Sequence, residues 1–203
     1  VDLQADLYYE AMKQRDYLEW GEVEFLVVSL IEDKQFLIGL FVLIGCTTGM
    51  KANDILALHW KDVLADVVFF REKSTGRYYY ANLKDETKSN IEKIYQGLGM
   101  PPLEANCFIS RKKCVYSLQR INVLLKQVSK NYLGGKVLFT TTTLRRTFGR
   151  EYLKHYGANL YNLRMFFDQD TEEFTKNYLR LYTETPVSLP KICAITRQWY
   201  SHY

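Results

Sequence analysis

The segment TGMKANDILALHWKDV spans residues 48–63 and is the most informative local pattern in the chain. It follows the run from Phe36 to Cys46, which is apolar on all sides and too short to cross a bilayer. That run therefore predicts an innermost helix of a globular core. Asn53 is a suitable N-cap for a short second helix with apolar residues between positions 55 and 58. The segment thus predicts a buried helix, a sharp stop and a short helix after it.

Outward from this segment, most of the chain has the periodicity of amphipathic helices. We expect helices over residues 3–16, 21–31, 85–96, 117–132, 143–156, 159–167 and 171–182. The exceptions are Val67–Arg71 and Arg77–Ala81, two β-branched and aromatic runs that flank a Ser-Thr-Gly turn and predict a hairpin. Its three tyrosines, at 78–80, are expected to pack on the core rather than stack on bases. The fold class predicted is mainly α with a small antiparallel β-sheet (α+β).

Composition is that of an ordinary globular protein. Of the 203 residues, 47% are hydrophobic and 25% charged, which argues against a disordered chain, a collagen-like chain or a disulfide scaffold. The net charge of +4 permits an anionic partner without establishing one. The four cysteines form no CxxC pair, and no signal peptide opens the chain. We therefore expect reduced thiols in a cytoplasmic protein, with no metal site and no membrane partner.

Three separated motifs resemble those of the tyrosine recombinase (phage integrase) family. Residues 48–63 are similar to the family pattern T-G-x-R-x-x-E-[IL]-x-x-L-x-W-x-D-[IV], and TTLRRTF at 142–148 is similar to H-x-L-R-[RH]-[TS]-F. GANL at 157–160 resembles G-x-[DN]-L, and Gln169 stands at a family histidine, nine residues before Tyr178. The order and gaps match over roughly residues 17–182. The resemblance implies the fold of a tyrosine recombinase catalytic domain.

The resemblance also implies an activity, in which DNA is cleaved and rejoined through a 3′-phosphotyrosyl intermediate without metal or cofactor. Tyr178 takes the position of the nucleophile. Arg145 takes that of the second arginine of a clamp on the non-bridging phosphate oxygens, where charge builds in the transition state. Lys73, at the hairpin turn, takes that of the lysine that protonates the leaving 5′-oxygen. These three positions keep the family's residue.

Three other catalytic positions depart from the family pattern. Lys51 stands in place of the first arginine. It keeps the positive charge but loses the bidentate hydrogen-bonding geometry of a guanidinium. Thr142 and Gln169 replace the two histidines and cannot carry a proton at neutral pH. Two alternatives to a recombinase or integrase therefore stay open. One is a catalytically weakened or inactive DNA-binding protein of this fold, and the other is type IB topoisomerase-like relaxation of supercoils.

The resemblance makes double-stranded DNA the expected partner, because the family wraps DNA with basic elements. The candidate DNA contacts are Arg71, Arg77, Arg111, Lys112, Lys113, Arg146 and Arg150. We expect residues 1–16 to be a helical remnant or linker from a missing DNA-binding domain, and 17–182 to be the catalytic domain. The tail, 183–203, is expected to pass to a neighbouring protomer and so support a homo-oligomer on DNA.

Overall fold

The computed structural model describes residues 15–110, 112–155 and 159–181. They belong to two compact units, one ending at Asn159 and the other beginning at Leu160. The helices of the first unit are α1 (Trp20–Glu32), α2 (Phe36–Thr48), α3 (Ala52–Ile55), α4 (Trp60–Val63), α5 (Asp85–Gly97), α6 (Leu118–Tyr132) and α7 (Thr141–His155). Its strands are β1 (Val67–Arg71) and β2 (Tyr78–Asn82). The second unit contains α8 (Leu160–Phe167) and α9 (Glu172–Tyr178).

The core of the first unit is built around α2, as its sequence predicts. Leu40, Phe41 and Ile44 have no exposed surface, and the helices α1, α5 and α7 pack against α2. Phe41 meets Phe108 edge to face, with ring centroids 5.5 Å apart. A helix apolar on every side requires neighbours on every side, and α2 has them. The described part of the chain contains no helix long and apolar enough to cross a membrane.

The end of α2 fixes how closely α7 can approach it. Gly49 caps the helix in the left-handed conformation, with φ 65°, and its N–H donates to the Gly45 carbonyl. A Cβ on Gly49 would lie 2.3 Å from the Phe148 ring, and one on Gly45 would lie 2.7 Å from Leu144. The two glycines therefore let the first motif pack directly on the motif of α7.

The hairpin is confirmed, as is the mainly helical fold class with one small antiparallel sheet. Val67 pairs with Asn82 and Arg71 with Tyr78, so the second strand begins one residue later than predicted. The expectation of core packing for the three tyrosines is right only for Tyr79, which contacts the core. Tyr78 and Tyr80 are 62% and 73% exposed, because a two-stranded sheet covers the core with one face only.

Other boundaries shift by physical causes that the sequence does not show. Lys51, and not Asn53, is the N-cap of α3, because the chain leaves the Gly49 turn and enters the helix at once. The last helix ends at Tyr178 rather than 182. Ser117 caps α6 as a serine should, its oxygen accepting from the Arg120 N–H at 3.2 Å. The helix expected over 3–16 lies almost wholly outside the described residues.

Candidate functional site

A buried carboxylate, Glu72, contacts the candidate clamp residue Lys51. It follows β1 at the start of the hairpin turn, and its side chain is 4% exposed. Lys51 places its Nζ 2.9 Å from Glu72 Oε1 and 2.6 Å from Ser74 Oγ. Thr75 Oγ1 donates to the other Glu72 oxygen at 2.6 Å. The turn therefore holds the Lys51 ammonium by two acceptors and leaves one of its three N–H donors for another anion.

The electrostatics of Glu72 connect the two candidate clamp residues. Burial alone would raise the pKa of the Glu72 carboxyl. Hydrogen bonds from Thr75 and Lys51 outweigh that effect, and the pKa lies below its usual value. The positive charge of Arg145 acts in the same direction. Lys51 and Arg145, from separate motifs, are thus near enough to act on one carboxylate.

A second buried carboxylate, Asp54, fixes the backbone of the hairpin turn. Asp54 occupies the acidic position of the first motif and is 5% exposed. Its Oδ1 accepts from the Lys73 backbone N–H at 3.2 Å. Burial raises the pKa of Asp54, against the opposing effects of that hydrogen bond and of the Lys51 and Lys73 charges. Asp54 thereby positions the turn that carries the exposed Lys73 side chain.

In the motif on α7, buried residues that pack on the core alternate with more exposed polar residues at the spacing of a helix. Leu144 and Thr147 are buried, while Arg145 is half-buried and Thr142 is exposed. Thr142 lies three residues before Arg145, so the two side chains share one side of the helix. Buried Thr143 donates to the Leu138 carbonyl at 2.7 Å, which anchors the first turn of α7. The packing of Leu144 against α2 thus sets the position of Arg145.

The candidate DNA contacts fall into two groups. Arg71, Arg77, Lys112 and Lys113 are exposed, the first two on the hairpin and the others in the loop before α6. Arg111 lies outside the described residues. Lys113 has a positive φ of 59°, and the loop is closed by a hydrogen bond from Ser110 N–H to the Cys114 carbonyl.

Arg146 and Arg150 instead contact the segment that precedes α1. Arg146 is 12% exposed and forms an ion pair with Asp16. The guanidinium carbon of Arg150 lies 3.8 Å from the centre of the Tyr17 ring, which is a cation–π contact. Thr147 Oγ1 accepts from the Leu18 N–H at 2.9 Å. These three contacts bind residues 16–18 to α7.

The remaining catalytic candidates belong to the second unit. Tyr178, the last residue of α9, is half-buried and meets the Phe167 ring edge to face at 5.5 Å. Gln169 is half-buried in the turn between α8 and α9. Arg164 closes that turn by donating to the carbonyls of Gln169 and Asp170, both at 3.0 Å. Within this unit, the nucleophile candidate is therefore held by an aromatic contact and follows a hydrogen-bonded turn.

Sequence reasoning missed Glu72, Ser74 and Asp54. A signal for Glu72 was available, because it continues the inward alternation of Val68 and Phe70 along β1. An acidic residue at an inward strand position needs a cationic partner, and Lys51 supplies it. Among the described residues, no cluster of three acidic, histidine or cysteine side chains is arranged to hold a metal ion.

This architecture is the fold of tyrosine recombinase catalytic domains. It is similar to the crystal structure of XerA recombinase, with a TM-score of 0.64 and 17% identity over 92% of this chain and 66% of that one. It is also similar to XerH site-specific recombinase in a post-cleavage complex with its palindromic difH substrate. That match has a TM-score of 0.61 and 19% identity, and it covers 81% of this chain and 49% of the XerH chain. A lambda integrase dimer bound to a COC′ core site matches with a TM-score of 0.57 and 14% identity. This match covers 88% of this chain and 64% of the integrase chain.

The chain spans between 49% and 66% of the length of these three solved structures. No protein-family model matches the sequence, and no curated protein matches it significantly. The similarity is therefore one of fold.

Proposed function

We propose that this chain is the strand-cleaving domain of a site-specific recombinase or integrase that acts on double-stranded DNA. The observation that best supports this is the arrangement around Glu72. There, Lys51 from the first motif and Arg145 from α7 act on the same carboxylate. Lys51 pairs directly with that carboxylate and the charge of Arg145 lowers its pKa, and we propose that the same two cations bind the two non-bridging oxygens of a phosphate diester.

In the proposed reaction, Lys51 and Arg145 bind the non-bridging oxygens of the scissile phosphate. The Tyr178 oxygen attacks phosphorus and loses its proton to solvent, forming the phosphotyrosyl bond. The bond from phosphorus to the 5′-oxygen breaks, and that oxygen takes a proton from the Lys73 ammonium. Thr142 and Gln169 contribute hydrogen bonds and no proton transfer. Rejoining is the reverse sequence, with a 5′-hydroxyl as the attacking group.

A trapping experiment tests the proposal without knowledge of the target sequence. The full chain is incubated with a pool of nicked duplexes randomised on both sides of the nick, so that cleavage releases a short fragment and cannot be reversed. We expect a covalent adduct that survives denaturing electrophoresis and is absent from Tyr178→Phe. Tyr161→Phe, which changes an exposed tyrosine of α8, is the matched control and should leave the adduct unchanged.

Binding is the second measurement, made by gel shift with duplex DNA at low salt. Contacts from Lys and Arg to phosphates predict an affinity that falls steeply with salt. The slope of log affinity against log salt concentration should be roughly −0.9 for each phosphate neutralised. If the chain forms no adduct and does not bind duplex at low salt, the proposal is wrong.

A second candidate function is duplex binding without cleavage, and one observation favours it. The Lys51 ammonium, at the first clamp position, already has a carboxylate and a hydroxyl as partners, which offsets much of its charge. Losing a donor of this kind costs roughly 10²- to 10³-fold in rate. Salt-sensitive duplex binding with no adduct from the randomised pool would identify this function in place of strand cleavage.

A further inference from the structure

The hairpin has one face on the core and one face in solvent. Val68 and Phe70 point inward and are buried. On the opposite face, Phe69, Tyr78 and Tyr80 are 57%, 62% and 73% exposed. Three large aromatic rings on a face this small form an exposed apolar patch of the kind that marks a binding surface.

The rings are arranged as a platform. Phe69 and Tyr78 stack with centroids 5.4 Å apart and planes inclined by 16°. Tyr80 lies directly across from Phe69 in the strand register, and Arg71 lies across from Tyr78. The Arg71 guanidinium carbon is 5.6 Å from the centre of the Tyr78 ring. Two of the three rings are therefore nearly parallel neighbours, the third lies opposite Phe69 in the strand register, and a guanidinium lies beside Tyr78.

The charge of this face is positive. Its six residues are Val67, Phe69, Arg71, Tyr78, Tyr80 and Asn82, and none is acidic. The acidic residues next to β1 have cationic partners, Asp66 with Lys88 at 3.2 Å and the buried Glu72 with Lys51. The turn at the Arg71 end carries the exposed cation Lys73.

We infer that this face binds single-stranded DNA by stacking unpaired bases on Tyr80, Phe69 and Tyr78. Every base has a π-face that an aromatic side chain can contact, and the phosphates of the strand complement Arg71 and Lys73. Bases in an intact duplex are stacked on one another and offer no such face to a sheet. The inference goes beyond the proposed function, because binding of a single strand needs no cleavage.

Fluorescence anisotropy of the full chain provides the test. One probe is labelled oligo(dT) of about 12 nucleotides, within the site sizes of aromatic platforms, and the other is a strand of equal length with abasic sites in place of thymine. The two probes carry the same phosphates. We expect oligo(dT) to bind at least about fivefold more tightly, since stacking of each base contributes that much or more.

Variants then locate the contact. Tyr80→Ala should weaken oligo(dT) binding by about fivefold to a hundredfold and leave binding of the abasic strand unchanged. Tyr80→Trp should retain the preference for bases, because it retains the ring. Phe25→Ala, which removes an exposed ring of α1 that is 55% exposed, is the matched control and should bind both probes like the parent protein.

Three results would overturn the inference. They are equal binding of the two probes, an unchanged base preference in Tyr80→Ala, and a similar loss in Phe25→Ala. If Tyr80→Ala alters the sedimentation of the free protein and not its binding of oligo(dT), the face is a protein contact and the inference is wrong. Duplex adduct formation is measured on the same variants, so that failure here is distinguishable from failure of the proposed recombinase function.

Discussion

Substitution of Glu72 by glutamine tests how the candidate site is assembled. The change keeps the size of the side chain and removes the negative charge that pairs with Lys51 and interacts electrostatically with Arg145. Breaking a fully buried, hydrogen-bonded ion pair costs about 3–5 kcal/mol, whereas an exposed pair contributes about 0–1 kcal/mol. The Glu72 side chain is 4% exposed but that of Lys51 is 34% exposed, so solvent screens the pair. We therefore expect a loss of about 1–3 kcal/mol in the free energy of unfolding.

Urea unfolding followed by circular dichroism at pH 7 measures this loss. Glu24→Gln makes the same charge change at an exposed position of α1 and is the control. Because the pKa of Glu72 is lowered in the folded protein, its contribution is present above the usual carboxyl pKa. That contribution is lost as pH falls through the folded-state pKa. The difference between the two variants should therefore shrink in acid.

The same variant separates binding from catalysis. Removal of a negative charge beside Lys51 and Arg145 should tighten duplex binding at low salt. If Glu72 also orients the Lys51 ammonium, the rate of adduct formation should fall despite tighter binding. Equal stability of Glu72→Gln and Glu24→Gln at pH 7, with unchanged duplex affinity, would refute the assignment of Glu72 as the anion that organises the site.

Substitutions at four other positions have expected outcomes. Gly49→Ala combines a positive φ with a Cβ 2.3 Å from the Phe148 ring and should lower stability by about 2–4 kcal/mol in thermal unfolding. Gly21→Ala, in a helix and with no atom near the added Cβ, should raise stability by about 0.5–1 kcal/mol. Lys51→Ala should abolish adduct formation and Lys51→Arg should preserve or raise it; equal adduct yields in all three proteins would remove this lysine from the site. Asp54→Asn removes a charge whose pKa burial raises and keeps the acceptor oxygen, so stability to urea at pH 7 should be unchanged or higher.

The helical framework could be predicted from sequence because its signals are local. The apolar run of α2, the Ser117 cap of α6 and the turn between the strands each depend on a few neighbouring residues. The N-cap of the helix after Gly49 is Lys51, two residues before the predicted Asn53. The left-handed Gly49 redirects the chain there, and this outweighs the capping preference of Asn53. Local preference therefore identified the elements better than it identified their ends.

The candidate site was predictable only where a motif named its residues. Lys51, Lys73 and Arg145 follow from the resemblance; in the first unit Lys51 pairs with Glu72, and the charge of Arg145 lowers the pKa of the same carboxyl. Glu72 lies outside the motifs, and its role depends on a contact across twenty-one positions of sequence that no periodicity records. The exposed Tyr78 and Tyr80 were misjudged for a related reason, because alternation shows which residues share a face and not whether anything covers it.

The attachment of residues 16–18 to α7 has a mechanical consequence. An ion pair, a ring contact and a main-chain hydrogen bond fasten this short segment along the helix that bears Arg145. A force applied to the polypeptide upstream of Asp16 would act on this helix through these polar contacts as well as through the packing of buried Leu18. Strain that arises before Asp16 would therefore be transmitted to the helix that bears Arg145.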